Sequence, residues 1–171
     1  MILSAVTASA VSAVITVNGG LMSIDKKNRL LKAVFAVYVL LMLWLLFGQR
    51  FGYTKNGTYL EMLQANINIV PFGTVGLFVK SIMHSQDPAL LRHAVINLAG
   101  NIVMFVPLGF LMPAVFPRMR VLKKTMLCAA AVMTVVEIIQ LFTLLGSYDV
   151  DDLILNLMGA FIGFIIFKNI K

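Results

Sequence analysis

TVVEIIQLFTLLGSYDVDDLILNLMGAFIG, residues 134–163, contains two long apolar runs joined by a short acidic turn. The first run carries Glu137 and Gln140. The turn and the second run carry the other notable residues: Asp149, Asp151, Asp152, Asn156, Gly159 and Gly163. Carboxylates and amides are costly in or beside hydrocarbon, so their presence within apolar runs requires a structural or functional reason.

The composition of the whole chain is that of an integral membrane protein. Of its 171 residues 60% are hydrophobic and 12% are charged, and the mean hydropathy is +0.95. A soluble domain has about 45–50% apolar and about 25% charged residues. The net charge of +7 does not indicate nucleic-acid binding, because the basic residues form short runs between apolar segments. The single cysteine, Cys128, cannot form an internal disulfide.

The apolar runs predict one all-α domain over residues 1–171, a polytopic membrane helical bundle of about five transmembrane helices, each needing about 20 residues. The predicted spans lie near residues 3–22, 30–48, 93–113, 125–145 and 150–168. Residues 1–22 are only weakly apolar, so a helix lying at the inner surface is the alternative there. In the third span, Pro107 removes a helical hydrogen bond and predicts a kink, to which Gly109 adds looseness.

The segment 49–92 is predicted to be an outer loop. Its stretch NINIVPFGTVGLFVKSIMH, residues 66–84, is too short an apolar run to span and is broken by Pro71 and Gly73. We interpret it as a surface loop followed by a short interfacial helix. A core helix of a soluble domain is the alternative.

The basic residues predict the orientation. Ten of the 14 fall on one side of the predicted spans and four on the other. The side with the excess is expected to be cytoplasmic. The C-terminus is then inside, whereas the loop 49–92 and the acidic turn are outside, and the N-terminus is outside if residues 1–22 cross.

Polar residues of three predicted spans fall at a similar depth. Asn101 and Glu137 each lie roughly 12 Å from the outer end of their helices, at 1.5 Å per residue. The set that can share the outer half of the membrane is Asn97, Asn101, Glu137, Gln140, Asp152 and Asn156. Asn97 and Asn101 can simply pack between helices. An intramembrane carboxylate such as Glu137 is a functional-site hypothesis, or it is protonated and bonded to a neighbouring amide.

The chemistry of this cluster stays open from the residues alone. The three aspartates can be a solvated turn in which Asp149 caps the fifth helix. Oxygen ligands at one depth can bind a divalent cation, or they can bind sugar or phosphate-linked headgroups. No nucleophile elbow, HExxH motif or P-loop is present, so metal and cofactor stay unassigned.

Four ordered segments resemble the VanZ-like family of bacterial membrane proteins. They are NIVPFGTV (68–75), NIVMFVPLGFLMP (101–113), EIIQ (137–140) and DVDDLILNLMGAFIG (149–163). The matching positions are Asn68, Pro71, Phe72, Asn101, Phe105, Pro107, Gly109, Glu137, Gln140, Asp149, Asp152, Asn156 and Gly159. One departure is visible: the arginine that often precedes the aspartates is absent from Gly146-Ser147-Tyr148, so an acidic residue there lacks that partner unless Arg50 or Arg92 supplies one.

The resemblance implies a multi-pass protein of the bacterial cytoplasmic membrane. The family takes its name from a member linked to resistance to teicoplanin, a lipid-bearing glycopeptide antibiotic that acts outside the cell on lipid-linked cell-wall precursor. No settled biochemical activity comes with the resemblance.

We therefore expect the bundle to bind an amphiphile, such as a lipid-linked cell-wall precursor or glycolipid, in an outer-leaflet polar cleft between the third, fourth and fifth spans. The expected ligand-binding residues are Asn68, Phe72, Asn97, Asn101, Glu137, Gln140, Asp149, Asp152 and Asn156. The expected structural residues are Pro71, Pro107, Gly109, Gly159 and Gly163, with Pro107 opening the third helix. Glu137 and Asp152 would be the main anchors.

Two alternatives belong to other classes. The first is an enzyme that modifies a lipid-linked envelope substrate, with Glu137 or Asp152 as general base or metal ligand. The second is an assembly partner without its own ligand, in which the Gly159–Gly163 face docks another membrane protein.

Overall fold

The computed structural model describes residues 24–48 and 57–170. Its helices are α1 (Ile24–Leu43, continued by a π-helical turn Trp44–Gly48), α2 (Tyr59–Ala65), α3 (Gly73–His84), α4 (Pro88–Val115), α5 (Leu122–Phe142) and α6 (Val150–Ile170). A 3₁₀ turn, Pro117–Met119, links α4 to α5, and two short strands, β1 (Ile67–Asn68) and β2 (Tyr148–Asp149), pair in parallel. The predicted all-α membrane bundle is confirmed.

Four helices of the described chain are long and apolar enough to cross a membrane: α1 with its π turn, α4, α5 and α6. They correspond to the last four predicted spans, whereas the predicted span 3–22 lies outside the described residues. Helix α4 begins at Pro88, earlier than the predicted residue 93. The reason is local: the Asp87 carboxylate accepts the backbone N–H of Ala89 at 2.9 Å, and proline suits the first helical position.

Helices α4 and α6 run parallel and touch through their backbones. A Cβ placed on Gly109 would lie 1.8 Å from the carbonyl oxygen of Ala160. A Cβ on Gly159 or Gly163 would lie 2.1 or 1.9 Å from carbonyl oxygens of α4. A side chain at any of these three positions would prevent the approach, so glycine is required there. Small residues allow close packing between membrane helices in the same way. The Gly159–Gly163 face is thus occupied by the chain's own α4, and the expectation that it docks another membrane protein is wrong.

Helix α1 packs antiparallel to α4 and seals one side of the core. The Tyr38 hydroxyl donates to the carbonyl oxygen of Met104 at 2.9 Å, and the rings of Phe35 and Phe116 meet edge-on with centroids 5.5 Å apart. Helix α4 is helical on both sides of Pro107. The kink and the opening of the helix at this proline stay predictions.

The segment between α1 and α4 contains one helix that the sequence interpretation missed. Helix α2 starts at a capping box, in which Thr58 and Glu61 each accept a backbone N–H of the other. Hydrogen bonds from the backbone and side chain of Thr58 lower the pKa of Glu61. The Tyr59 hydroxyl donates to the carbonyl oxygen of Phe142 at 2.9 Å and ties α2 to the end of α5.

The two ends of the bundle differ in charge. We call the end that contains residues 57–87 and the turn 143–149 the acidic end. The opposite end, where α1 begins and α4 and α6 finish, is the basic end. In the described residues, Asp25 is the only carboxylate at the basic end, and the other six acidic side chains lie in the acidic half.

Candidate functional site

A two-residue parallel strand pair brings the segment 66–75 onto the acidic turn. Ile67 pairs with Tyr148 and Asn68 with Asp149, and the backbone N–H of Tyr148 donates to the carbonyl oxygen of Asn66 at 2.8 Å. The pairing is short because both partners continue directly into tight turns or helices. It places the NIVPFGTV motif over the start of α6, next to the aspartates.

Asp149 joins three separate groups through one buried carboxylate. Its Oδ2 accepts a hydrogen bond from Thr74 Oγ1 at 2.7 Å and from Asn68 Nδ2 at 3.3 Å. Its Oδ1 accepts the backbone N–H of Asp151 at 2.8 Å. The predicted cap of the last helix by Asp149 is therefore present, and the same side chain also fixes the NIVPFGTV segment.

Asp151 is fully buried and caps a helix to which it does not belong. Its carboxylate oxygens accept the backbone N–H groups of Phe72 at 2.5 Å and Val75 at 2.9 Å, at the N-terminus of α3. Helix α3 has no side-chain cap of its own, because Phe72 occupies the cap position with a left-handed backbone, φ 63°. The negative charge lies at the positive end of the α3 dipole, which stabilises both.

Asp151 and Thr74 were absent from the expected ligand-binding set. A signal for Asp151 existed in the sequence, since one aspartate is enough to cap α6 and three are present. For Thr74 the signal was its place inside the NIVPFGTV motif, where it is the one hydroxyl. Neither signal identified the partner atoms, which are far away in sequence.

Glu137 and Gln140 are buried and bind backbone groups of other elements. Glu137 Oε2 accepts the backbone N–H of Asp149 at 3.3 Å. Gln140 Nε2 donates to the carbonyl oxygen of Leu46, at the end of α1, at 2.9 Å. Glu137 is 5% exposed, so it does not face lipid. These two side chains connect α5 to the start of α6 and to α1.

Asn101 and Asp152 join α4 to α6 at a less enclosed position. Asn101 Nδ2 donates to Asp152 Oδ1, and both residues are half-buried. Asn97 lies one turn nearer the acidic end of α4 and is also half-buried. Its side chain makes no hydrogen bond within residues 24–48 and 57–170. These three side chains form the accessible part of the polar cluster.

Asn156 is a buried amide one helical turn after Asp152 on α6. It is 4% exposed, and its Nδ2 contacts Met133 Sδ at 3.4 Å. Its Oδ1 has no hydrogen-bond partner in the described part of the chain. Met133 precedes Glu137 by one helical turn, so Asn156 lies within about two turns of Glu137.

The carboxylates of the cluster are thus occupied by N–H and O–H donors. The described residues contain no group of three or more His, Cys, Asp or Glu side chains that could hold a metal ion. Arg92 is exposed and makes no ion pair with the described acidic residues, whereas Arg50 lies outside the described residues.

Two tiers result. The closed tier comprises the buried side chains of Glu137, Gln140, Asp149, Asp151 and Asn156. The open tier comprises the half-buried side chains of Asn97, Asn101 and Asp152. The NIVPFGTV segment also carries an apolar tip, residues 69–72, in which Ile69, Val70 and Phe72 are 62–66% exposed. Pro71 lies within this tip, and the backbone of Phe72 is held by Asp151.

Comparison with known proteins places the chain in a family. It matches VanZ/LLP1 over residues 35–171, which includes three of the four candidate spans and the later part of the first. It is 26% identical over 133 residues to Protein VanZ of Enterococcus faecium, an alignment that covers 77% of this chain and 70% of that protein. No solved structure matches it. The multi-pass membrane protein described above therefore belongs to the VanZ/LLP1 family.

Proposed function

We propose that this VanZ-like protein binds an amphiphile of the outer leaflet of the bacterial cytoplasmic membrane, with the open tier receiving the polar head. The observation that carries the proposal is the contrast between the two tiers. Asn97, Asn101 and Asp152 are half-buried, whereas the side chains of the closed tier are buried.

The chemistry of the open tier favours a particular kind of head group. The Asp152 carboxylate accepts hydrogen bonds and repels anions, so a bare phosphate is disfavoured. The amides of Asn97 and Asn101 both donate and accept. A head rich in hydroxyl or amine donors, such as a sugar or an amino sugar, complements this set.

The apolar tip supplies the second half of an amphiphile site. Asp152 follows Asp151, whose carboxylate holds the backbone of Phe72. The backbone of the apolar tip is thus held one residue from Asp152 along α6, and the side chains of Ile69, Val70 and Phe72 are exposed. An alkyl chain can pack against them while its head reaches Asp152.

In this proposal the closed tier positions the site instead of contacting the ligand. Glu137 accepts the N–H of Asp149, and Asp149 and Asp151 fix the segment that carries the apolar tip. The orientation that puts this acidic end outside comes from the excess of basic residues at the other end.

Native mass spectrometry of the purified protein in mild detergent tests the proposal. We expect a bound species on the wild type and on Asp87→Asn, a matched control in which asparagine still caps α4. Asp152→Asn removes a charged hydrogen-bond acceptor. This variant should therefore retain at least about tenfold less of the bound species than the wild type. Its melting temperature should stay near that of the wild type, because asparagine can still bond Asn101. A wild type without bound species, or equal retention by Asp152→Asn, would contradict the proposal.

A contribution to glycopeptide resistance is the finer form of the same proposal. Teicoplanin is a lipid-bearing glycopeptide, so it combines sugars with a lipid chain, which is the combination that the site suits. Expression of the wild type in a susceptible host should raise the teicoplanin concentration that stops growth, and Asp152→Asn should abolish the increase at equal protein level. An unchanged threshold with the wild type would limit the proposal to an endogenous lipid.

A further inference from the structure

The basic end gathers cationic side chains from α1, from the α4–α5 turn, from α5 and from α6. Those of the described chain are Lys26, Lys27, Arg29, Lys32, Arg118, Arg120, Lys123, Lys124 and Lys168, and all are exposed. Against these nine stands one carboxylate, Asp25, at the start of α1. One carboxylate can neutralise only one of these cations, so the basic end has a large net positive charge.

Packing brings two of these runs together although they are far apart in sequence. The ring of Phe35 on α1 contacts the ring of Phe116, directly before the turn that holds Arg118. Lys32 lies one turn before Phe35 on the same helix, and side chains three apart are neighbours. Lys32 and Arg118 therefore converge at the junction of α1 with the α4–α5 turn.

Two side-chain hydrogen bonds hold the turn that carries these cations. Arg120 Nε donates to the carbonyl oxygen of Pro113 at 3.4 Å. The buried hydroxyl of Thr125 donates to the carbonyl oxygen of Met119. These bonds anchor both sides of the turn, so that Lys123 and Lys124, in the first turn of α5, extend from a fixed base.

We propose that this junction binds the phosphodiester head group of an anionic phospholipid from the adjoining leaflet. Basic pockets between transmembrane helices suit such head groups, and a lipid is already in reach of a site that lies at the end of the spans. The site lies at the opposite end of the bundle from the proposed amphiphile site and does not depend on it.

Binding of phosphatidylglycerol to the purified full-length chain, measured by native mass spectrometry titration, tests this inference. Each basic residue near an anionic lipid contributes about fivefold to binding, so the double variant Lys32→Gln/Arg118→Gln should bind about thirtyfold more weakly. The matched control, Lys80→Gln/Arg92→Gln, removes two exposed cations from the acidic end and should bind like the wild type. Arg118→Gln, a single variant, should weaken binding about fivefold, and it serves if the double variant does not fold.

Further arms identify the ligand class. Phosphatidylcholine should bind far more weakly than phosphatidylglycerol, because its head group has no net charge. Soluble glycerophosphate in excess should not displace the lipid. Equal weakening in the control variant, equal binding of phosphatidylcholine, or displacement by glycerophosphate would each overturn the inference.

Discussion

At the scale of single residues, Asp151 connects the start of α6 to the start of α3. It is fully buried, yet both of its oxygens accept N–H groups from the start of α3. A buried carboxylate is tolerated when it is fully hydrogen-bonded, and its removal leaves those donors unsatisfied. The position of the NIVPFGTV segment therefore depends on this one side chain.

Asp151→Asn should release the segment while leaving the spans folded. Loss of charge and of one acceptor should lower the free energy of unfolding of the docked segment by about 2–3 kcal/mol. Hydrogen–deuterium exchange should rise at Phe72 and Val75 and stay unchanged in α4 and α6. Asp87→Asn is the control, because asparagine caps a helix as well as aspartate does. Unaltered exchange at Phe72 would refute the capping role.

Some contacts of these single residues could be predicted from the sequence, and others could not. The cap by Asp149 and the similar depth of Asn101 and Asp152 could be predicted from residue type and position along the apolar runs. The bond between Asn101 and Asp152 could not, because it joins two helices. The partners of Asp151 do not, since they are backbone N–H groups 79 and 76 residues away that carry no side-chain signature. Glu137, expected to be a main anchor, likewise accepts a backbone N–H.

At the scale of elements, the parallel helices α4 and α6 form the centre of the bundle. Their contact depends on glycines, which permit backbone approach that side chains would prevent. The four long helices of the described chain could be predicted from their apolar runs, with ends up to six residues from those observed, because span length is fixed by membrane thickness. Helix α2 was missed, although Thr58 and Glu61 stand at the spacing of a capping box.

Gly109→Ala should destabilise this contact. The added Cβ would overlap the carbonyl oxygen of Ala160, and overpacking of this kind costs about 1–3 kcal/mol. Gly100→Ala, in the same helix, is the matched control, because no atom outside its own helix backbone lies within 4 Å of the new Cβ. Thermal unfolding followed by circular dichroism should show a lower melting temperature for Gly109→Ala alone. A melting temperature equal to that of Gly100→Ala would show that the helices can separate without loss.

At the scale of the whole molecule, charge and topology agree. The described chain crosses the bundle with α1, α4, α5 and α6, and its acidic and basic side chains collect at opposite ends. The positions of apolar runs and basic residues were enough to predict this arrangement, because membrane thickness and charge asymmetry constrain every span. The docking of the segment 66–75 could not be predicted from these positions, because it depends on contacts between distant parts of the chain.

Cysteine labelling tests the orientation. In a Cys128→Ala background, Gln86→Cys lies at the acidic end and Asn28→Cys at the basic end, and both positions are exposed. An impermeant maleimide added to intact cells should label position 86 at once and position 28 only after the membrane is opened. The reverse pattern would place the acidic end inside and would remove the basis for an outer-leaflet ligand.

The strand pair between Asn68 and Asp149 also sets an order of events during synthesis. The two residues are 81 positions apart, and a ribosome adds about 5–20 residues per second. The NIVPFGTV segment therefore leaves the ribosome roughly 4–16 s before the aspartates that hold it exist. During that interval its backbone donors must be satisfied by water, lipid head groups or a chaperone. The turn between α5 and α6 is thus made late in synthesis, and only then can its aspartates bind the NIVPFGTV segment at the acidic end.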